Sequence, residues 1–176
     1  VTQATTSVHV RKGMDLVRVG NVGELGIAFF YERVKMPPPP ALMARVKDQI
    51  APALIEVAQV FQYEARFITL FHQPHAVSRF VRQKLLLNVW PIMQRAKEMN
   101  LEDVRTDEFV YCYFYGLLIH KLGHFHDILH GTRHDYYMNE LRIEFLDAWI
   151  DLLLRRGFDP AQVSVEYSRQ LFHRQD

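Results

Sequence analysis

The sequence contains almost no cysteine, with Cys112 as the only one in 176 residues. A single thiol excludes an intramolecular disulfide framework and a cysteine-rich zinc module. The chain must therefore fold on an apolar core. Hydrophobic residues make up 49% of it, which is enough for one domain of this length. So little cysteine predicts a cytoplasmic location by default, or a nuclear one.

An excess of one charge and a long apolar run are missing too. Lys and Arg total 21 and Asp and Glu total 20, which leaves a formal net charge of +1. Such a balance provides no basic surface for nucleic acid or for an anionic membrane. The longest apolar stretch, residues 109–119, is about half of the roughly 20 residues that a membrane span requires. We therefore expect no nucleic-acid partner and no membrane.

Four consecutive prolines, 37–40, interrupt the chain because proline cannot continue a helix or a central strand. Before them, alternating apolar residues and glycine turns predict a small sheet over residues 7–35, packed on the main part. A linker that is ordered only by a parent protein is the alternative. We divide the chain into an N-terminal β-rich extension with a proline-rich linker, 1–40, and a helical domain, 41–176.

The main part shows mostly helical patterns. Apolar residues at helical spacing run from Leu42 to Phe61, with a kink at Pro52. The further predicted elements are strands at Arg66–Phe71 and Lys84–Trp90, and helices at Pro91–Met99, from a Thr106 cap to about Gly131, at Asp135–Arg156, and after Asp159 with Val163, Tyr167 and Leu171. These patterns predict an α+β fold that is dominated by helices and contains a small β-sheet.

Histidine is abundant. Nine are present, and five of them fall within fifteen residues: His120, His124, His126, His130 and His134. His120 and His124 lie four residues apart, so on a helix they share one face and can bind one tetrahedral Zn²⁺. This pair is the strongest indication of a metal site in the sequence.

A third ligand normally follows after the helix has ended and the chain has turned back. His130 or His134 has the right spacing, with Glu140 and Glu144 as more remote options. Asp127 stands at the turn, and we expect it to adopt a left-handed conformation there. The sequence leaves the choice of the third ligand open.

Lys121 occupies the second position of the segment His-Lys-Leu-Gly-His at 120–124. In metallopeptidase helices of the H-E-x-x-H type, this position holds the glutamate that takes a proton from zinc-bound water. An ammonium cannot accept that proton, and it also repels a dication. We therefore expect a metal site without ordinary zinc-peptidase chemistry, and we assign no catalytic residue.

Two segments carry a resemblance to a known family. Leu118–His124 looks like the active-site helix of zincin-like domains. His130–Tyr137 is similar to a segment in the C-terminal part of large proteins with Hsp90-type ATPase modules, and to one in SprT-like and WLM-type metallopeptidases. In those domains an edge strand similar to Leu85–Val89 precedes the active-site helix. The resemblance covers residues 41–156.

The resemblance implies a degenerate, minimal zincin fold, with a small sheet packed on the metal-site helix. By position, His120 and His124 would be metal ligands, and His130 or His134 would be the third. The family's general base falls on Lys121. A zinc ion is the cofactor that the resemblance implies.

Three functions follow from these observations. We favour a catalytically degenerate metallopeptidase-like domain that serves as a scaffold or protein-interaction module and retains zinc. The alternatives are an active metal-dependent hydrolase with a non-standard base, such as Asp135, Glu140 or Glu144, and a metal-free helical interaction module. Because the chain begins with Val1 rather than Met, we expect a piece of a longer protein or a processed chain. Its partners would be proteins or other domains of the parent chain.

The other groupings indicate packing or solvation rather than chemistry. We interpret Cys112 as an inert core thiol and the aromatic run 111–115 as part of a buried helix. Arg79, Arg82 and Lys84 lie near a predicted edge strand, where charge more often blocks association than binds a peptide. Further residues without a predicted role are the acidic face Glu140, Glu144, Asp147 and Asp151, the surface residue His126, and the isolated His9, His72, His75 and His173.

Overall fold

Five strands form one mixed sheet in a computed structural model that describes residues 15–98 and 103–163. The strands are β1 (Leu16–Val22), β2 (Ile27–Glu32), β3 (Ile68–His72), β4 (Arg79–Val81) and β5 (Lys84–Asn88). Their order is β1-β2-β3-β5-β4. The β1–β2 and β4–β5 pairs are antiparallel, whereas β2, β3 and β5 run parallel to one another.

The N-terminal strands belong to the same sheet as the strands of the main part. Ala28 of β2 pairs with Thr69 of β3, so the expectation of a separate small sheet packed on the main part is wrong. Strand β2 reads Ile-Ala-Phe-Phe-Tyr-Glu and has consecutive buried residues. A strand that is apolar on both faces is typical of the interior of a sheet. Residues 7–14 of the predicted sheet lie outside the described residues.

Six helices of six residues or more are described: α1 (Pro40–Arg45), α2 (Ala51–Val60), α3 (Trp90–Glu98), α4 (Asp103–His124), α5 (Thr132–Glu144) and α6 (Leu146–Arg155). A π-helical turn, Val46–Ile50, joins α1 to α2 immediately before Pro52. The turn lies close to the predicted kink, where proline lacks the N–H that a regular helix needs. The helix-dominated α+β class is confirmed.

Three predicted helix boundaries are wrong. Helix α4 begins at Asp103 rather than at a Thr106 cap, and it ends at His124 rather than near Gly131. The single helix predicted after Asp135 is divided into α5 and α6 at Phe145, whose φ of −105° and ψ of 13° interrupt the helical backbone. Within the described residues, no helix combines the length and apolar character needed to cross a membrane.

Local sequence signals mark the end of α6 and the beginning of the helix that follows it. Gly157 follows α6 with φ of +76°, a conformation that glycine adopts without a steric cost. Beyond it, the Ala161 N–H donates to Asp159 Oδ1 at 3.0 Å, as expected for an aspartate that caps a new helix. Tyr167 and Leu171 of that predicted helix lie outside the described residues.

The chain forms two compact units whose limits differ from the predicted division at residue 40. Described residues 15–52 and 64–98 form one unit, and 53–63 and 103–163 form the other. The first unit contains the sheet with its buried residues Phe29, Leu70, Phe71, Leu85 and Leu87. The second contains α4, α5 and α6.

Helix α4 is buried along most of its length, as its aromatic run predicts. Phe109, Tyr113, Phe114 and Cys112 are all buried, and burial raises the pKa of the Cys112 thiol. A thiol with a raised pKa forms little reactive thiolate at neutral pH. The structure therefore agrees with an inert core cysteine.

Asn88 organises the loop between β3 and β4. It is 0% exposed, and its Nδ2 donates to the carbonyl oxygens of Gln73 at 2.7 Å and Ala76 at 2.8 Å. Its Oδ1 accepts from the Gln73 N–H and the Trp90 N–H, both at 3.1 Å. One amide side chain thus forms hydrogen bonds with four backbone groups around this loop.

We predict that Asn88→Leu lowers the free energy of unfolding by about 3 kcal/mol or more. The leucine keeps most of the volume but leaves several buried backbone groups unpaired, each at a cost of about 1–3 kcal/mol. Urea denaturation followed by circular dichroism measures the change. Gln94→Leu, which removes a surface hydrogen bond to Glu98, is the matched control and should change stability by less than about 0.5 kcal/mol. Equal stability of the two variants would contradict the prediction.

Candidate metal centre

Three imidazole nitrogens meet at one point of the second compact unit. The Nε2 atoms of His120, His124 and His130 form a triangle in which each pair is 3.2 Å apart. His120 and His124 are buried, and His130 is exposed. These three residues are the one group of His, Cys, Asp or Glu within the described residues that is spaced to hold a metal ion.

The size of the triangle suits a first-row metal ion. Edges of 3.2 Å place the centre about 1.85 Å from each nitrogen, and Zn–N bonds are about 2.0–2.1 Å long. Nitrogens at this spacing would all lie within bonding distance of one such ion. One coordination position would remain for another ligand. Three histidines can therefore hold a metal ion here.

Local sequence explains how two of the ligands converge. His120 and His124 stand one turn apart on α4, so both rings project from one face. The Nδ1 of His124 lies 3.0 Å from the carbonyl oxygen of Asp127. That contact favours a proton on Nδ1 and leaves the Nε2 lone pair for a metal.

A short loop brings the third ligand back to the helix. After α4 the Asp127 N–H donates to the Gly123 carbonyl oxygen, and Asp127 Oδ1 accepts from the Leu129 N–H at 3.0 Å. This side-chain turn redirects the chain toward His130. Asp127 does not have a positive φ, so the expected left-handed conformation is wrong. Its side chain makes the turn instead.

The environment keeps His120 and His124 neutral, which is the form that binds a metal. Burial lowers the pKa of His120 to about 3, and the charges of Lys121 and the neighbouring histidines act in the same direction. Burial also lowers the pKa of His124, partly offset by the Asp127 carbonyl. The two rings can therefore accept a metal without first losing a proton at neutral pH.

His134 lies beside the triangle but is not part of it. It is 2% exposed, and its Nε2 is 2.9 Å from the carbonyl oxygen of His120. Its ring stacks on that of His124, with centroids 4.0 Å apart and an interplanar angle of 7°. Of the two candidates for the third ligand, His130 joins the triangle and His134 positions the other rings.

Gly123 allows this close approach of α5 to α4. A Cβ atom on Gly123 would lie 2.9 Å from His134 Nε2 and 3.0 Å from Met138 Cγ. Such distances are shorter than ordinary contacts, so any larger residue would push His134 away. The sequence analysis predicted neither the close approach of the helices at Gly123 nor the packing of His134 against the other histidines. A glycine inside a helix, next to a histidine, was the available signal.

Lys121 is buried beside the candidate ligands. It is 7% exposed, and its charge lowers the pKa of both His120 and His124. A buried ammonium near the triangle adds positive charge where a glutamate would add negative charge. The position of the general base in the H-E-x-x-H pattern is thus occupied by a group of opposite charge.

Within the described residues, the other predicted residues do not belong to the metal-binding group. The carboxylates of Asp135, Glu140, Glu144, Asp147 and Asp151 are exposed, in agreement with a solvated acidic face. His126 is exposed and stacks on Tyr137 with centroids 4.5 Å apart, as expected for a surface residue. His72 and His75 belong to the other compact unit, and His9 and His173 lie outside the described residues.

Comparison with known proteins adds no name to this site. No known protein family, no curated protein and no solved structure matches the chain. The geometry of its own residues is therefore the basis for a functional proposal.

We predict that Gly123→Ala destabilises the protein by about 1–3 kcal/mol, because the new methyl group overpacks the contact with His134. Alanine normally stabilises a helix interior relative to glycine by about 1 kcal/mol. A lower stability of Gly123→Ala would therefore show the steric effect of the contact with His134. Gly131→Ala is the control, since nothing lies within 4 Å of its Cβ position. Thermal unfolding of both variants measures the difference. A more stable Gly123→Ala variant would show that the contact is not restrictive.

We predict that the metal-free protein loses stability as the pH falls from about 6.5 toward 3. The pKa of His120 is about 6.5 in the unfolded chain and about 3 in the folded one. Between these values the unfolded chain binds a proton that the folded chain excludes, so the free energy of unfolding falls by up to about 1.4 kcal/mol per pH unit. Urea titrations across this range should show a shallower slope for His120→Gln. Equal slopes would contradict the assignment.

Proposed function

We propose that the protein is a catalytically degenerate metallopeptidase-like domain that binds one zinc ion through His120, His124 and His130 and acts in protein interaction. The observation that carries the proposal is the 3.2 Å triangle of Nε2 atoms. A cytoplasmic location stays a prediction from composition. The proposal has three parts, which concern the metal, the missing base and the loop.

Zinc is the metal that the ligand set favours. Neutral imidazole suits zinc, copper, nickel and iron, whereas calcium and magnesium prefer oxygen ligands. Zinc has no preference for square geometry, and it accepts three histidines with one further position. The bound ion would polarise whatever ligand occupies that fourth position.

The identity of residue 121 argues against hydrolysis. Removal of a proton from a metal-bound water needs a base within hydrogen-bond reach, and Lys121 occupies the sequence position that the base has in the H-E-x-x-H pattern. The candidate bases Asp135, Glu140 and Glu144 are exposed and do not belong to the metal-binding group. The interaction role is therefore better supported than an active hydrolase.

The metal would also join the loop after α4 to the helix. His130 is the only one of the three ligands that comes from this loop, and the two residues before it expose large apolar side chains, Ile128 at 74% and Leu129 at 71%. Exposed apolar residues close together often mark a surface that contacts another protein. A metal ligand in the loop would hold this surface in one conformation.

A metal-free helical module is less well supported. In that hypothesis His120 and His124 would point apart, but their Nε2 atoms are 3.2 Å apart. Two buried imidazoles at this distance, with a third from a loop, are difficult to explain by packing alone. A shared metal ion removes the need for each nitrogen to find a separate partner.

We predict one equivalent of zinc per chain in the purified protein, measured by elemental analysis. His124→Ala should weaken zinc binding by at least about a hundredfold in a chelator competition, because losing even an outer partner of a ligand costs about 10–100-fold. His126→Ala is the matched control, since His126 stacks on Tyr137 outside the triangle. Absence of stoichiometric zinc from the wild-type protein would overturn the metal assignment.

Lys121→Glu separates a degenerate site from an active one. We expect no zinc-dependent peptidase activity in the wild type, and tighter zinc binding in the variant because a dication is no longer repelled. Activity in the variant alone would support descent from a peptidase. Activity in the wild type that disappears when zinc is removed would overturn the non-catalytic assignment.

A further inference from the structure

An open groove lies on one face of the sheet, in the compact unit without the histidine triangle. Its volume is about 910 Å³. Strand pairing places its floor on one face, because Ala28 pairs with Thr69 and Thr69 pairs with Leu86, and paired residues point to the same side of a sheet. Phe30 lies two residues after Ala28 and so shares this face.

The floor of the groove is apolar and well packed. Phe30 and Leu86 are buried and form a cluster with Leu16 and Phe71, against which Ala28 packs. A floor that belongs to the core keeps its shape when a ligand arrives or leaves. The volume and the apolar lining resemble those of ordinary binding pockets, which also carry a few polar groups at defined places.

Three basic side chains stand at the edges of this floor. Arg18 projects from β1, and Arg82 and Lys84 come from the β4–β5 hairpin, whereas none of the described residues that line the groove is Asp or Glu. Arg18 donates to Asn21 Oδ1. In the part of the chain that the structure describes, no hydrogen bond or ion pair engages the exposed side chains of Arg82 and Lys84.

The hairpin turn holds its cationic residue in an uncommon conformation. Arg82 has φ of +60°, which a residue with a Cβ atom adopts only at a cost of about 1–3 kcal/mol. The cost is greater than that of asparagine or glycine at such a turn. The groove thus has an arginine where the backbone alone would favour another residue.

The distance between the basic edges limits the kind of ligand. β1 is separated from the β4–β5 hairpin by three to four strand spacings, or roughly 14–19 Å. A ligand with one charged group, such as a fatty acid, would form an ion pair with the basic residues of one edge only. An extended peptide of about five or six residues covers the distance at about 3.3 Å per residue.

We propose that this groove binds an extended segment of a partner protein that carries carboxylates at both ends and apolar side chains between them. Its carboxylates pair with Arg18 at one edge and with Arg82 and Lys84 at the other. Its apolar side chains cover Ala28 and Phe30. The proposal does not depend on the histidine triangle.

The N-terminal segment of the chain itself does not have this chemistry. Residues 1–14 contain Arg11 and Lys12 and no acidic residue, so their charge would be repelled by the edges of the groove. Like charges brought together across an interface disfavour binding. Residues 164–176 carry two arginines beside their two acidic residues and therefore have no net negative charge. The complementary partner is a separate protein with an acidic segment.

The test is fluorescence anisotropy with the full chain and a fluorescein-labelled hexapeptide that has glutamate at both ends and leucine at its four central positions. We expect saturable binding that weakens as salt is raised. Arg82→Glu combined with Lys84→Glu should raise the Kd at least about tenfold, since reversing charges at an interface converts attraction to repulsion. Both residues are exposed, so the fold should tolerate the change, which circular dichroism verifies.

Two controls distinguish the groove from general charge. Arg45→Glu combined with Lys47→Glu makes the same charge change at exposed residues of the same compact unit and should leave the Kd within about twofold of the wild type. A hexapeptide with lysine at both ends and leucine at its four central positions should not bind. Absence of saturable binding to the acidic peptide, equal binding of the basic one, or equal losses in the two double variants would each overturn the proposal. Zinc removal should leave binding unchanged.

Discussion

The close contact between Gly123 and His134 is the constraint on which the candidate metal site depends. Because Gly123 has no side chain, α5 can approach α4 until the His134 ring stacks on His124 and reaches the His120 carbonyl oxygen. The chain between the two helices then has to return across the face that carries both ligands. His130 lies on this return path, and its Nε2 completes the triangle.

The side chains of the candidate metal site are uncharged, except for the neighbouring Lys121. Burial favours neutral His120 and His124, and no carboxylate joins the metal-binding group within the described residues. Lys121 is buried next to them. A dication held by three neutral ligands beside a lysine would leave excess positive charge at the site. An anionic group would be favoured in the remaining coordination position.

The proposed groove illustrates how a neutral composition can conceal a local charge. The chain has a formal net charge of only +1, yet the groove is lined by Arg18, Arg82 and Lys84 without an acidic residue. These cations are far apart in sequence or lie in a turn, and strand pairing brings them to one face. Whole-chain charge excludes a broad basic surface, but it does not report on a groove with two basic edges.

Local patterns predicted much of the fold. The α+β class, the long buried helix α4 and the glycine after α6 all follow from apolar periodicity and from the conformations open to particular residues. Strand pairing did not follow. The parallel neighbours β2 and β3 are separated by the helices α1 and α2, and the short strand β4 has too few residues for a periodic signal. Pairing between distant segments depends on packing, which a local pattern does not contain.

The sequence by itself determined which residues could bind a metal and which base is missing. Two histidines one helical turn apart must share a face, and a lysine at position 121 cannot accept a proton. Only the tertiary structure shows that His130, and not His134, groups with His120 and His124 at metal-binding distances. Both have workable spacing, and the choice depends on where the Asp127 side chain turns the loop and on how closely Gly123 lets α5 approach. These are distances between side chains of separate elements, and only the packed structure defines them.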